Sequence, residues 1–218
     1  MRRGKHFTSS SCIDIDVPFA VTKGMLDVVI MQRLICVVFC SFLMSGCLGS
    51  EILPESSKYG FVGDTLGRDV DGGEVYDIRD NLSRGAVLVM FSHHSCFGCH
   101  EWVEEINKRH NDWMTEERPI QPVMVGVYPP SDDADSLMET YGLIESEHYA
   151  AWPVVVTTSS SKAWDLERDV LSELTIFEAF DNPNSPELYL IGQTGDLIWK
   201  SETYQPTDEA MSEIENSI

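Results

Sequence analysis

Basic residues are scarce in this chain. It has 15 lysines and arginines against 36 aspartates and glutamates, which gives a formal net charge of −21. Nucleic acids and anionic membrane surfaces attract proteins through positive charge, so this balance argues against both as electrostatic partners. An acidic surface that keeps the protein soluble is an ordinary explanation for the same charge.

Long apolar runs are also lacking near the N-terminus. The apolar stretch 34–43 is shorter than the roughly 20 residues that a membrane-spanning helix needs, which argues against a plain transmembrane anchor. It follows Gln32-Arg33 and leads into Met44-Ser45-Gly46-Cys47.

This order resembles a lipoprotein signal peptide over residues 31–46, and the resemblance implies cleavage before Cys47 and a lipid on that cysteine. Residues 1–30 resemble neither a folded segment nor a usual targeting segment. We interpret them as a disordered extension or as an artefact of start-site assignment, with translation beginning at Met25 or Met31.

Cysteines are few once the predicted signal peptide is removed. Of the 6 cysteines, three precede the predicted cleavage site and Cys47 carries the lipid, which leaves only Cys96 and Cys99. The sequence therefore predicts no structural disulfide in the exported part. After residues 1–46 are removed, 10 basic and 33 acidic residues remain, so the net charge becomes −23.

The remaining cysteines lie at the junction of a predicted strand and a predicted helix. Residues 86–91 are continuously apolar, as in a strand buried on both faces, and polar residues 92–95 end that run. Beyond the cysteines, apolar residues recur at three- and four-residue spacing through Trp113, as on an amphipathic helix. Cys96 is therefore expected to cap the N-terminus of this helix.

A cysteine at a helix N-terminus has a specific chemistry. The unpaired N–H groups and the helix dipole favour a thiolate by roughly 0.3 to 1 kcal/mol. The two-residue spacer allows a second thiol to attack a mixed disulfide formed on the first. We therefore predict that Cys96 is the attacking thiol and that Cys99 is the resolving thiol.

The rest of the chain predicts an α/β domain over residues 61–218, tethered through an anchor and linker at residues 47–60. A small hairpin with a turn at Gly72-Gly73 precedes the cysteine segment. Further buried strands are predicted at 122–128 and 152–156, with a helix ending at Gly142 between them. A helix at 164–180, a hairpin of 187–191 with 197–200, and a closing helix from residue 206 complete the prediction.

Residues 61–201 resemble a thioredoxin-fold protein of the redoxin or TlpA/ResA-like thiol-disulfide oxidoreductase group. The matching segments are the lead-in from Gly63-Asp64 to Gly72-Gly73, the junction VLVMFSHHSCFGC and the hairpin NSPELYLIGQTGDLIWKS. The resemblance implies a three-layer α/β/α sandwich with a mixed central sheet. It also implies a cis proline at Pro186 that faces the cysteines, with Ser185 and Pro186 offering a backbone edge to an extended substrate.

The resemblance also implies a function. We expect a membrane-anchored, extracytoplasmic thiol-disulfide oxidoreductase whose partners are exported protein thiols or disulfides, the membrane through the lipid on Cys47, and a membrane redox partner. No nucleic acid partner is expected. No cofactor is expected besides the redox-active disulfide Cys96–Cys99, and no resident metal. The direction of electron flow depends on the relative stability of thiolate and disulfide, and a difference of 30 mV in reduction potential corresponds to about 1.4 kcal/mol.

The chain departs from the family pattern around the cysteines. Ser95 replaces the usual tryptophan, Met90 replaces the buried acid of cytoplasmic thioredoxins, and Trp102 replaces the glutamate of TlpA-like proteins. The usual proton acceptor for the resolving thiol is therefore missing. Glu101, His94 and water are the candidate substitutes.

Two other interpretations use the same residues. The sequence CFGCH, ending at His100, also fits the motif for covalent c-type haem attachment, which would make the protein an electron carrier. The cysteines together with His93, His94 and His100 could alternatively bind zinc or copper. The buried strand that precedes the motif favours the oxidoreductase over both. A peroxidase is less favoured because His93 stands where peroxiredoxins have threonine.

Overall fold

The computed structural model describes residues 58–116, 119–127, 129 and 131–218. The predicted signal peptide, Cys47 and most of the predicted linker lie outside these residues. The first strand begins at Tyr59, so the last two residues of that predicted linker, 59 and 60, belong to the sheet. Over the ranges just given, no helix is long and apolar enough to cross a membrane.

The described part of the chain contains both strands and helices. The strands are β1 (Tyr59–Thr65), β2 (Val75–Asp77), β3 (Ala86–Ser92), β4 (Ile120–Gly126), β5 (Val154–Val156), β6 (Lys162–Asp165), β7 (Val170–Thr175), β8 (Glu187–Ile191) and β9 (Leu197–Lys200). The α-helices are α1 (Ile78–Leu82), α2 (Phe97–Trp113), α3 (Ala134–Leu137), α4 (Ile176–Ala179) and α5 (Asp208–Asn216). A 3₁₀ turn at Asp69–Asp71 precedes β2, and a π-helical turn at Met138–Gly142 continues α3.

The strands that the structure describes form one mixed sheet of 9 strands in the order β7-β6-β1-β5-β4-β3-β8-β9, with β2 paired to β1 outside this order. β3, β4 and β5 are parallel neighbours, and β8 lies antiparallel to β3. Parallel strands need crossover connections, which α2 supplies between β3 and β4 and α3 supplies between β4 and β5. The mixed sheet confirms the predicted α/β class.

Helices cover both faces of the central strands. Alternate residues of a strand point to opposite faces, so Leu88 of β3 packs in one core with Trp102 of α2. Val89 packs in the other core with Ile78 of α1 and Ile176 of α4. All of these side chains have 0% exposure, and each such burial contributes about 1.5–3 kcal/mol. Two cores on one sheet make the predicted three-layer sandwich.

Most of the predicted elements are confirmed. All seven residues of β3 are buried, as its continuous apolar run predicted. The first hairpin turns at Gly72, where φ is 75°, and the β8–β9 hairpin turns at Gly195, where φ is 83°. Glycine suits both turns because L side chains disfavour positive φ. β4 begins at Ile120, two residues before the predicted start.

The predicted helix at 164–180 is wrong. This segment forms β6, a turn and β7, and only Ile176–Ala179 is helical. The apolar residues at helical spacing are not a buried stripe, since Val170 is 48% exposed and Leu171 59%. The Asp165 carboxylate accepts hydrogen bonds from the backbone N–H groups of Glu167 and Arg168, which favours a turn over a helix.

Candidate active site

The two cysteines lie where β3 gives way to α2. Cys96 is the N-cap residue of α2 with an extended backbone, and its Sγ accepts a hydrogen bond from the Cys99 N–H at 3.2 Å. The polar segment after β3 ends the strand, and the cap begins the helix, so the sequence fixes this junction locally. The predicted N-cap position of Cys96 is confirmed.

Cys96 and Cys99 are joined by a disulfide, with their Cα atoms 5.2 Å apart. Cys96 retains 8% exposure, whereas Cys99 has none. A reagent or client from solvent therefore meets the sulfur of Cys96 first. This asymmetry agrees with the roles predicted for an attacking and a resolving thiol.

The predicted substrate edge lies against the buried cysteine. The Ser185–Pro186 peptide bond is cis, and Ser185 Oγ lies 3.1 Å from Cys99 Sγ. Pro186 directly precedes β8, whose pairing with β3 brings this turn beside the cysteine loop. The fold therefore places Ser185 and Pro186 next to the pair.

Tyr204 is a residue of this site that the sequence did not reveal. Its hydroxyl accepts a hydrogen bond from the Gly98 N–H at 3.1 Å and lies 3.9 Å from Cys96 Sγ. A Cβ on Gly98 would approach the Tyr204 carbonyl oxygen to 2.5 Å, so only glycine leaves room for this contact. Tyr204 is 106 residues from Gly98 in sequence, and no local pattern signals the pairing.

Neither side chain predicted as a proton acceptor, His94 or Glu101, forms a hydrogen bond with Cys99 in the described residues. His94 Nδ1 lies 3.0 Å from an oxygen of Asp132, on the loop after β4. Glu101 Oε2 is buried and has no hydrogen-bond partner among the described residues. Glu101 lies two residues after Cys99 on α2, and side chains at that spacing do not share a helix face. Ser185 supplies the polar side-chain contact to Cys99.

The loop that carries His93 and His94 is held by buried hydrogen bonds. The Tyr141 hydroxyl donates to the His93 carbonyl at 2.9 Å and accepts from Ser92 Oγ at 3.1 Å. Burial raises the pKa of Tyr141 well above its usual range, so this phenol stays protonated and remains a donor. His100 Nε2 contacts the His94 carbonyl at 2.9 Å, and burial lowers the pKa of His100.

The haem interpretation does not fit this geometry. Haem attachment through the CxxCH motif would need both thiols and the histidine nitrogen to be available to the haem. Here Cys99 is fully buried, and Nε2 of His100 is paired with a backbone carbonyl of the same loop. Seating a haem would require the start of α2 to unfold.

No protein-family model and no curated protein sequence matches the chain. Among solved structures, the thioredoxin domain of a thiol-disulfide oxidoreductase from Bacteroides vulgatus matches with a TM-score of 0.51 and 16% identity, covering 74% of this chain and 94% of that domain. DsbF of MTB matches with a TM-score of 0.51 and 11% identity, covering 74% of this chain and 98% of that protein. At sequence identities this low, the structural match establishes a shared fold and nothing more specific. The chain has a thioredoxin fold, as the resemblance predicted.

Proposed function

We propose that this protein is a thiol-disulfide oxidoreductase that exchanges disulfides with exported proteins through Cys96 and Cys99. One observation carries the proposal. The two cysteines form a disulfide at the N-terminus of α2, in which Cys96 retains 8% exposure and Cys99 is fully buried against Ser185. A structural disulfide would gain nothing from this asymmetry, whereas a two-step exchange requires one accessible and one enclosed sulfur.

The exchange proceeds through a mixed disulfide. In the reduced protein, the thiolate of Cys96 attacks one sulfur of a client disulfide, and the other client sulfur leaves as a thiolate. Cys99 then loses its proton and attacks Cys96 Sγ, which releases the second client thiolate and forms the Cys96–Cys99 disulfide. The client gains two electrons, and its two thiolates take up two protons. The same steps in reverse oxidise a client dithiol.

The neighbouring residues support these steps. Ser185 and Pro186 present the edge along which an extended client segment lies beside Cys96. Water accepts the proton of Cys99 through the Ser185 hydroxyl, because His94 is engaged with Asp132. A membrane redox partner restores the reduced or oxidised form after each turnover.

The proposed location is the outer side of the cell membrane, with the domain tethered by a lipid on Cys47. The apolar run of residues 34–43 and the segment ending in Met44-Ser45-Gly46-Cys47 support this part of the proposal. The acidic surface then stays in solution while the lipid holds the chain at the membrane.

The test is the reduction of insulin disulfides by dithiothreitol, followed by turbidity, with the full chain as catalyst. Wild type is expected to accelerate the reaction, and Cys96→Ser and Cys99→Ser are expected to abolish the acceleration. Cys47→Ser is the matched control, because it removes a cysteine outside the pair. It should retain exchange but move from the membrane fraction to the soluble fraction. Failure of the wild type to accelerate the reaction refutes the proposed activity.

A further inference from the structure

Two imidazoles and a buried carboxylate converge beside the cysteine loop. His93 and His94 follow the end of β3, and Asp132 follows the end of β4, which pairs with β3 up to Ser92 opposite Gly126. One nitrogen of each histidine and one oxygen of Asp132 all lie within 4.8 Å of one another. The cysteine sulfurs are bonded to each other and are not part of this cluster.

The separations suit a tetrahedral ion. Bonds of 2.0–2.2 Å to nitrogen and oxygen place neighbouring ligands about 3.3–3.5 Å apart. His94 Nδ1 lies 3.0 Å from Asp132 Oδ1, and His93 Nε2 lies 3.7 Å from the same oxygen. The two observed distances bracket the ideal value. Small rotations of the imidazoles would therefore allow the two nitrogens and the carboxylate oxygen to bind the same ion.

The carboxylate is held in advance by the backbone. The Asp132 side chain has 0% exposure. Its Oδ2 accepts from the Val127 N–H at 3.1 Å, and its Oδ1 accepts from the His94 N–H at 3.1 Å. Outer hydrogen bonds of this kind orient a ligating carboxylate and reduce the ordering cost of binding.

The His93 imidazole is also oriented by a neighbouring side chain, and both imidazoles are partly exposed to solvent. His93 Nδ1 lies 2.9 Å from Ser95 Oγ and accepts a longer hydrogen bond, at 3.3 Å, from the Ser95 N–H. When Nε2 binds an ion, the Nδ1–H donates to Ser95 Oγ and the longer contact is given up. The side chains of His93 and His94 are 21% and 31% exposed, so an ion can reach them from solvent. Three protein ligands leave a fourth position for water, as in open zinc sites.

We propose that His93 Nε2, His94 Nδ1 and Asp132 Oδ1 form a binding site for a divalent transition ion of the Zn²⁺ and Cu²⁺ class. Imidazole nitrogens with one carboxylate oxygen are ligands that such ions favour. Imidazole nitrogens bind such ions only in their deprotonated form, so binding is expected to weaken as the pH is lowered. The site is complete in the disulfide form, which separates it from a site built on thiolates.

The test titrates Zn²⁺ into the oxidised full chain, after chelator treatment, against a chromophoric zinc indicator. Wild type is expected to bind one ion per chain, and His93→Gln and His94→Gln are each expected to weaken binding at least tenfold. His148→Gln is the matched control, because its imidazole stacks on that of His100 at 3.7 Å outside the cluster. Its affinity is expected to equal that of the wild type. Circular dichroism establishes that each variant remains folded.

Three results would overturn the site. The oxidised wild type could fail to bind Zn²⁺ at one ion per chain. The His93 and His94 variants could bind as tightly as the His148→Gln control. Binding could also occur only after reduction and vanish in Cys96→Ser, which would assign the ion to thiolates. In each case the contacts of Asp132 with His93 and His94 would only hold the loop in place.

Discussion

Arg68 is the buried cation that ties the first hairpin to the segment before β5. Its Nη1 donates to the carbonyl oxygens of Tyr141 and Ala150 at 2.9 Å each. Its Nη2 donates to the Trp152 carbonyl at 2.7 Å and to Asp71 at 2.6 Å. The side chains of Arg68 and Asp71 are 9% and 0% exposed. We expect Arg68→Met to be among the most destabilising single changes in the domain.

The expected size follows from what the change leaves behind. Removing one partner of a buried ion pair costs about 3–5 kcal/mol, because the remaining charge stays buried without compensation. Asp71 keeps hydrogen bonds from the backbone N–H groups of Arg68 and Val154, which limits this cost. The carbonyls of Ala150 and Trp152 lose their donor and add to the cost, whereas the Tyr141 carbonyl keeps the Ala150 N–H. We expect a loss of about 3–5 kcal/mol for Arg68→Met.

Arg79 provides a matched control on the surface. It pairs with Asp77 at 2.6 Å and Asp169 at 2.9 Å, but its side chain is 34% exposed. It also lies over the ring of Trp164 at 3.9 Å. Exposed ion pairs contribute about 0.2–1 kcal/mol each and a cation–π contact about 0.5–1 kcal/mol. We expect Arg79→Met to cost about 1–2 kcal/mol.

Urea unfolding of the oxidised proteins measures both changes, provided that the slope of free energy against urea stays the same. The account predicts that Arg68→Met lowers the free energy of unfolding by clearly more than Arg79→Met does. Equal losses, or a loss below about 1 kcal/mol for Arg68→Met, would refute the assignment of Arg68 as the buried cation that compensates Asp71.

Three further predictions concern the site and the pH dependence of stability. Gly98→Ala is expected to lower stability by about 1–2 kcal/mol, because the clash with Tyr204 outweighs the roughly 1 kcal/mol helix advantage of alanine; a gain in urea resistance contradicts this. In the reduced protein, iodoacetamide should label Cys96 before Cys99, as peptide mass mapping would show, and the reverse order speaks against the assigned roles. Burial lowers the pKa of His110, so the unfolded chain takes up this proton at a higher pH than the folded chain does. The free energy of unfolding is therefore expected to decrease as the pH is lowered past about 6.5. His110→Gln should flatten this slope between about pH 7 and 5, and an unchanged slope counts against the assignment.

The parts of the fold that local sequence determines were predictable. A continuous apolar run marked β3, because a strand buried on both faces has no polar residue to interrupt it. Cys96 could be placed at the helix cap because the amphipathic spacing begins directly after it. The hairpin of β8 and β9 followed from a glycine turn between two apolar runs.

The rest of the site depends on contacts between distant segments. Asp132 meets His94 from 38 residues away, and Tyr204 meets Gly98 from 106 residues away. Neither residue belongs to a motif, so only the paired sheet and its loops bring them to the cysteines. The wrong helix at 164–180 has a related cause. Its apolar spacing was real, but pairing of β6 with β1 and β7 decided the local structure.

The most direct test of the central claim is the capture of clients by Cys99→Ser. If Cys96 attacks and Cys99 resolves, this variant is expected to accumulate mixed disulfides with exported proteins that dithiothreitol releases, and mass mapping should place every one on Cys96. Cys96→Ser should trap almost nothing, because Cys99 is fully buried. Absence of mixed disulfides in Cys99→Ser, or equal trapping by Cys96→Ser, would contradict the exchange mechanism.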